Sequence, residues 1–127
     1  MLEETNKGYE SEVNLSYLRD IASGSVEFMI EMIDIFLDQT PEYFRNLETA
    51  VAEKNWKGVA DVAHKIKPTL AFMGVNSGKQ DIEDIEHKAR DGRDVEEIQV
   101  QFNTLKEKCS NLFLKLQQVR TELEAEL

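Results

Sequence analysis

The chain has 127 residues, is 41% hydrophobic and has a mean hydropathy of -0.47, which suits one soluble globular domain able to bury a core without disulfides. Its net charge of -10 argues against a nucleic-acid partner, and its single cysteine, Cys109, argues against an internal disulfide or a Cys-rich zinc site. No apolar run approaches the length that spans a bilayer, and the opening MLEETNKGYE lacks the basic-then-apolar order of a secretory signal. The expectation is a cytoplasmic protein with no membrane partner.

With two prolines, six glycines and apolar residues recurring at helical spacing, the chain reads as all-α. Residues 1–13 read as a flexible N-terminal arm and residues 14–127 as one helical domain. Asn14 caps a short helix from Leu15 to Ala22, and Ser25 caps an apolar helix from Val26 to about Asp38. Thr40-Pro41-Glu42 has the form of an N-cap, a first-turn proline and an acid, so it predicts a separate helix running to about Glu53. Asn55 caps a helix whose stripe is Trp56, Val59, Ala63, Ile66, Leu70 and Met73, closed by Gly74. Ser77 opens the next, with Ile82, Ile85 and Ala89 inward and Gly92 as its stop. Asp94 with Glu97 resembles a capping box. The last helix is long, and its seam from Val95 through Ile98, Phe102, Leu105, Cys109, Leu112, Leu116 and Val119 to Leu123 keeps alternating spacings of three and four. That pattern fits a coiled coil or one long helix of a bundle. The apolar faces of the other helices need a partner, which favours an antiparallel four-helix bundle with a short N-terminal helix and a long C-terminal one.

The stretch Ala63-His64-Lys65-Ile66-Lys67-Pro68-Thr69 carries the chemistry. At about 100° per residue His64 falls off the core stripe, sharing its face with Lys57, Asp61, Lys67 and Pro68. From Lys54 to Lys79 there are five lysines and one acid, Asp61, a local +4 within an acidic chain. An imidazole with a pKa of about 6.5 is a good nucleophile near neutral pH. Lys67 is placed to neutralise phosphoryl oxygens, and Lys65 adds longer-range attraction. There is no second catalytic base and no Gly-rich nucleotide loop, so the pattern is that of a group carrier and not of a kinase.

His64-Lys65-Ile66-Lys67-Pro68-Thr69 followed by Met73-Gly74 resembles the motif of the histidine-containing phosphotransfer (HPt) domain, His-x-Leu-Lys-Gly-Ser/Ala with a later apolar-Gly pair. The helix order from Leu18 to Leu47, Ile82-Glu83 and Ala89-Arg90-Asp91-Gly92 are similar to the family as well. The resemblance implies that His64 takes a phosphoryl group from the aspartyl phosphate of a receiver domain and passes it to another receiver. It also implies response-regulator receivers, or a hybrid sensor kinase, as partners. No cofactor or metal of its own is expected; Mg²⁺ belongs to the receiver, and the protein is expected to be a monomer. Pro68 stands where the family usually has Gly. It removes the amide that would bond the His64 carbonyl and is expected to bend the helix at His64, yet Leu70 and Met73 continue the stripe, so the helix must run on past it.

The helix after Ser25 has two apolar faces. Val26, Met29, Ile30, Ile33 and Leu37 form one; Phe28, Met32 and Ile35 form another, where a bundle helix needs only one. The second is either covered by the first helix or the C-terminal tail, or free to dock a receiver with Tyr17, Ile21 and Pro68 at its edge. Two rival functions compete. One is a non-catalytic helical interaction module. The other is a carboxylate–histidine di-metal bundle built from Asp61/His64 and Asp84/His87, which needs those groups turned inward.

Overall fold

A computed structural model describes residues 8–127, and among these there is no strand. Five α-helices follow a 3₁₀ turn at Tyr9–Glu12: α1 (Leu15–Ile21), α2 (Val26–Ala52), α3 (Trp56–Phe72), α4 (Asn76–Asp91) and, after a second 3₁₀ turn at Val95–Glu97, α5 (Ile98–Glu124). Short connections turn the chain back between successive long helices. α2 packs on α3 and α5, and α4 closes the bundle between α3 and α5, its most extensive packing being on α3. Three caps form as the sequence indicates. The side-chain oxygens of Asn14, Ser25 and Asn55 accept from the amides of Tyr17 (2.9 Å), Phe28 (3.1 Å) and Gly58 (3.1 Å). The α5 seam from Ile98 to Leu123 is buried along its full length, as are Ile82, Ile85 and Ala89 of α4.

Four expectations need correction. The helices on either side of Pro41 are one, Val26–Ala52. Met29, Ile33, Phe36, Thr40, Phe44, Leu47 and Val51 form one unbroken buried seam, and its burial offsets the backbone hydrogen bond that Pro41 removes. Thr40 is not a cap but a core residue. Asp94 makes no side-chain cap. Its backbone is left-handed (φ 56°), its carbonyl accepts from the Glu97 amide to close the 3₁₀ turn, and α5 begins at Ile98. Ser77 does not open α4; the N-cap position is Val75, which has no capping side chain.

The missing cap comes from the fourth correction, the N-terminal arm. Residues 1–7 lie outside the described residues, but residues 9–12 are ordered and packed on α5 and α4. Glu12 accepts from the Ser77 amide (2.9 Å) and from the Ser77 hydroxyl, so its carboxylate serves as the cap and sits at the positive end of the α4 dipole. Tyr9 is buried, and its hydroxyl donates to Asp81 (2.6 Å). Burial and Asp81 together push that hydroxyl well above the ordinary phenol range. Gly78 makes the room: a Cβ there would come within 3.0 Å of Val75 and 3.4 Å of the Tyr9 ring. Gly74 (φ +80°) similarly lets the α3–α4 turn approach Asn14, whose Cβ a side chain would meet at 3.0 Å.

The segment 9–12 is therefore part of the core. Tyr9→Ala should cost about 3–5 kcal/mol in urea unfolding. Tyr9→Phe should cost about 1 kcal/mol, since it removes one hydrogen bond and leaves the ring. An alanine variant as stable as the wild type would return this segment to the status of a loose arm.

Candidate functional site

α3 buries Val59, Ala60, Ala63, Ile66 and Leu70, which turns His64 outward with its side chain 67% exposed. Register survives Pro68, because α3 continues to Phe72 with Leu70 buried. What the sequence did not place beside His64 comes from α4. Glu86 lies at the edge of the α4 apolar stripe, next to Ile85, four residues after Ile82 and three before Ala89. The packing of α4 on α3 carries its carboxylate under the imidazole, and its side chain is only 5% exposed. Among the described residues it is the one buried charged side chain.

Three cations or potential cations converge on it. His64 Nδ1 is 3.1 Å from Glu86 Oε2, Arg90 donates to the same oxygen at 2.6 Å, and the Lys67 ammonium is 3.5 Å from Oε1. Lys67 also donates to Glu83 at 3.4 Å. Burial by itself would raise the Glu86 carboxyl; the Arg90 hydrogen bond, the Lys67 charge and His64 outweigh it and hold the group below the usual carboxylate range. Glu86 is thus ionised at neutral pH, and an ionised carboxylate only accepts. In the neutral ring, the tautomer that donates from Nδ1 to this carboxylate leaves the lone pair on Nε2.

The environment of His64 is consequently not the lysine-rich, acid-poor one that counting along α3 indicates. Lys57 is paired with Asp61 (3.3 Å), and Lys67 is shared between two carboxylates of α4. Lys65 is exposed. Glu83, Glu86 and Arg90 are the site residues that the sequence reading missed. The available signal was an acid set into the apolar edge of α4 with an arginine one turn on. His87 is exposed, and among the described residues no three His, Cys, Asp or Glu side chains converge as a metal site would require.

The second apolar face of α2 is not covered. Phe28 and Ile35 are 44% and 52% exposed, and with Ile21 and Met32 they line an apolar groove of about 290 Å³. The opposite wall is Thr69, Met73 and the half-exposed Phe72 of α3. Phe72 was not among the expected docking residues. Tyr17 and Pro68 are exposed but do not line the groove. His64 and Phe72 are eight residues apart on one helix, about 12 Å along its axis.

A family model described as "Hpt domain" matches residues 31–126, more than half of the chain. The chain belongs to the Hpt family. Hpt domains serve phosphotransfer in two-component relays and are phosphocarriers rather than kinases. In such relays they meet receiver domains. The chain is similar to the signal transduction histidine-protein kinase BarA of Shigella flexneri (26% identity over 91 residues) and of Escherichia coli K12 (25%), in each case over 72% of this chain. It spans about a tenth of the length of these relatives, 10% in both. No solved structure matches it. No helix among the described residues is long and apolar enough to cross a membrane.

The Glu86 cluster has a pH signature. Because the folded carboxyl titrates below its ordinary value of 4.5, its contribution to stability is complete above that pH and is lost as pH falls through the folded value. Glu86→Gln should lower stability by about 1–3 kcal/mol at neutral pH. The gap between wild type and variant should close as the solution is taken below pH 4.5. Melting curves of both proteins from pH 5 to pH 2.5 read this out; a gap undiminished at pH 2.5 would contradict a Glu86 carboxyl held below its ordinary value.

Proposed function

We propose that this Hpt domain carries its phosphoryl group on Nε2 of His64, taking it from the aspartyl phosphate of one receiver domain and giving it to another. The observation that carries the proposal is the 3.1 Å contact of His64 Nδ1 with the buried Glu86 carboxylate. That contact fixes the tautomer and leaves Nε2 as an exposed nucleophile. In the forward step the Nε2 lone pair forms the N–P bond while the P–O bond to the receiver's aspartate breaks, and that carboxylate leaves with the electron pair. The ring keeps its Nδ1 proton and becomes a cation facing Glu86, which stabilises it. The return step reverses each change. Lys67 is close enough to shift from its carboxylates to the incoming oxygens, and exposed Lys65 adds attraction at longer range. Mg²⁺ is assigned to the receiver's acidic site, and the chain works as a monomer in the cytoplasm.

The groove between α2 and α3 is the proposed receiver contact, with Ile21, Phe28, Met32 and Ile35 on one wall and Phe72 on the other. Tyr17 and Pro68 extend the exposed surface beyond it. Flexible methionine and aromatic side chains suit a surface that must meet more than one receiver. The similarity to histidine-protein kinases supports a hybrid sensor kinase as one source of the phosphoryl group. A non-catalytic interaction module would also use this groove, but it gives no reason for a buried carboxylate under an exposed histidine.

Incubation with a receiver phosphorylated on its aspartate, in Mg²⁺, should label the wild type and His87→Gln but not His64→Gln. Label retained in His64→Gln and lost in His87→Gln would refute the assignment. Lys67→Ala should slow transfer about ten- to a hundred-fold, the equivalent of losing one charge-assisted contact of about 1.5–3 kcal/mol.

The groove makes a separate prediction. Phe28→Ala and Phe72→Ala should each weaken receiver binding about ten-fold or more while lowering stability by less than about 1 kcal/mol, because half of each ring is already in water. Calorimetric titration with the receiver and urea unfolding check the two halves; a large stability loss with unchanged binding would place the rings in the core.

A further inference from the structure

In the resting site the charges balance. Glu83 and Glu86 are matched by Lys67 and Arg90, with the His64 imidazole beside them. A phosphoryl group on Nε2 brings two negative charges on its oxygens; the ring cation that forms with it faces Glu86, and exposed Lys65 acts only at longer range. A close counter-charge for those oxygens must be taken from a pair that already exists. Arg90 is the tighter of the two, at 2.6 Å from a carboxylate that is itself buried and cannot follow it outward. The hydrogen bond of Lys67 runs to Glu83 at 3.4 Å, and the Glu83 side chain is 38% exposed, so water can take over when the lysine departs. Glu86 Oε1 is 3.5 Å from Lys67 without a hydrogen bond.

We infer that Glu83 sets how tightly the carrier holds its phosphoryl group, by competing with that group for the Lys67 ammonium. The inference rests on the phosphocarrier reading above and gives it a direction. A carboxylate that reclaims Lys67 whenever the phosphoryl group leaves makes the phosphorylated state less favourable and its release to an acceptor easier. Glu83 is a positioning residue in this scheme: it touches the lysine and not the reacting atoms. The competition must act through Lys67, which separates it from simple repulsion between the Glu83 carboxylate and the phosphoryl oxygens.

Phosphoramidate tests this without a receiver. The Nε2 lone pair attacks its phosphorus, the P–N bond breaks, ammonia leaves with the electron pair, and Nδ1 keeps its proton. ¹⁵N-labelled protein carrying native Glu83 is mixed with unlabelled Glu83→Gln protein, both with His87→Gln so that His64 is the only histidine. The mixture is brought to equilibrium with phosphoramidate in excess ammonium, and intact mass gives the phosphorylated fraction of each. Glu83→Gln should show a two- to five-fold higher ratio of phosphorylated to free protein, about the effect of a half-exposed ion pair. With Lys67→Ala in both partners the difference should vanish. Equal ratios in the first mixture would overturn the inference, and so would an undiminished difference in the Lys67→Ala pair, since that is direct repulsion. Absence of label on His64 in the protein with native Glu83 would instead overturn the phosphocarrier reading, and this inference with it.

Discussion

A carboxylate taken out of water has to be repaid in counter-charge and hydrogen bonds, and Glu86 is such a carboxylate. It draws His64 and Lys67 from α3 and Arg90 from its own helix onto two oxygens. Displacing any of the three leaves part of a buried charge uncompensated. The cluster therefore pins the register of α3 against α4 at the level where His64 emerges. Packing alone would tolerate some sliding of two apolar stripes; a shared buried carboxylate does not. The most extensive helix pair in the bundle and the chemistry of its surface histidine are thus held by the same contact.

Most of the architecture was legible because helical periodicity is local. The α5 seam was read residue by residue, and the caps at Asn14, Ser25 and Asn55 were plain because a capping side chain bonds an amide only three residues away. Pro41 misled because its neighbours also spell a helix start. What decides is whether the buried seam continues past the proline, and here Phe36, Thr40 and Phe44 continue it. Residues 9–12 misled for a related reason. Four residues show no period, and both anchors of that segment are distant in sequence, Tyr9 on Asp81 and Glu12 on Ser77.

The site was legible by half. His64 and Lys67 are on one helix face and could be found by spacing. Glu83, Glu86 and Arg90 arrive from a second helix, and a charge count along α3 cannot see them. The five lysines that suggested an open cationic surface are partly neutralised across the helix interface. Similarly, the apolar second face of α2 was visible from its sequence, but Phe72, which turns that face into a groove, belongs to α3. One helix can announce a surface; two are needed to shape it.

The two interior prolines gain meaning from that groove. Thr40 and Thr69, which line it from opposite sides, are each adjacent to a proline, Pro41 in α2 and Pro68 in α3. Each proline deletes one rung of its helix, the bond that would have reached the carbonyl four residues back, at Leu37 and at His64. Both walls therefore carry a built-in seam in the backbone at the level of the groove. At the Pro41 seam a turn can widen with no hydrogen bond to break, and side-chain packing alone resists it. The turn at Pro68 contains His64 and Lys67 and is tied to the buried Glu86 carboxylate, so of the two walls it is the α2 side whose backbone can yield.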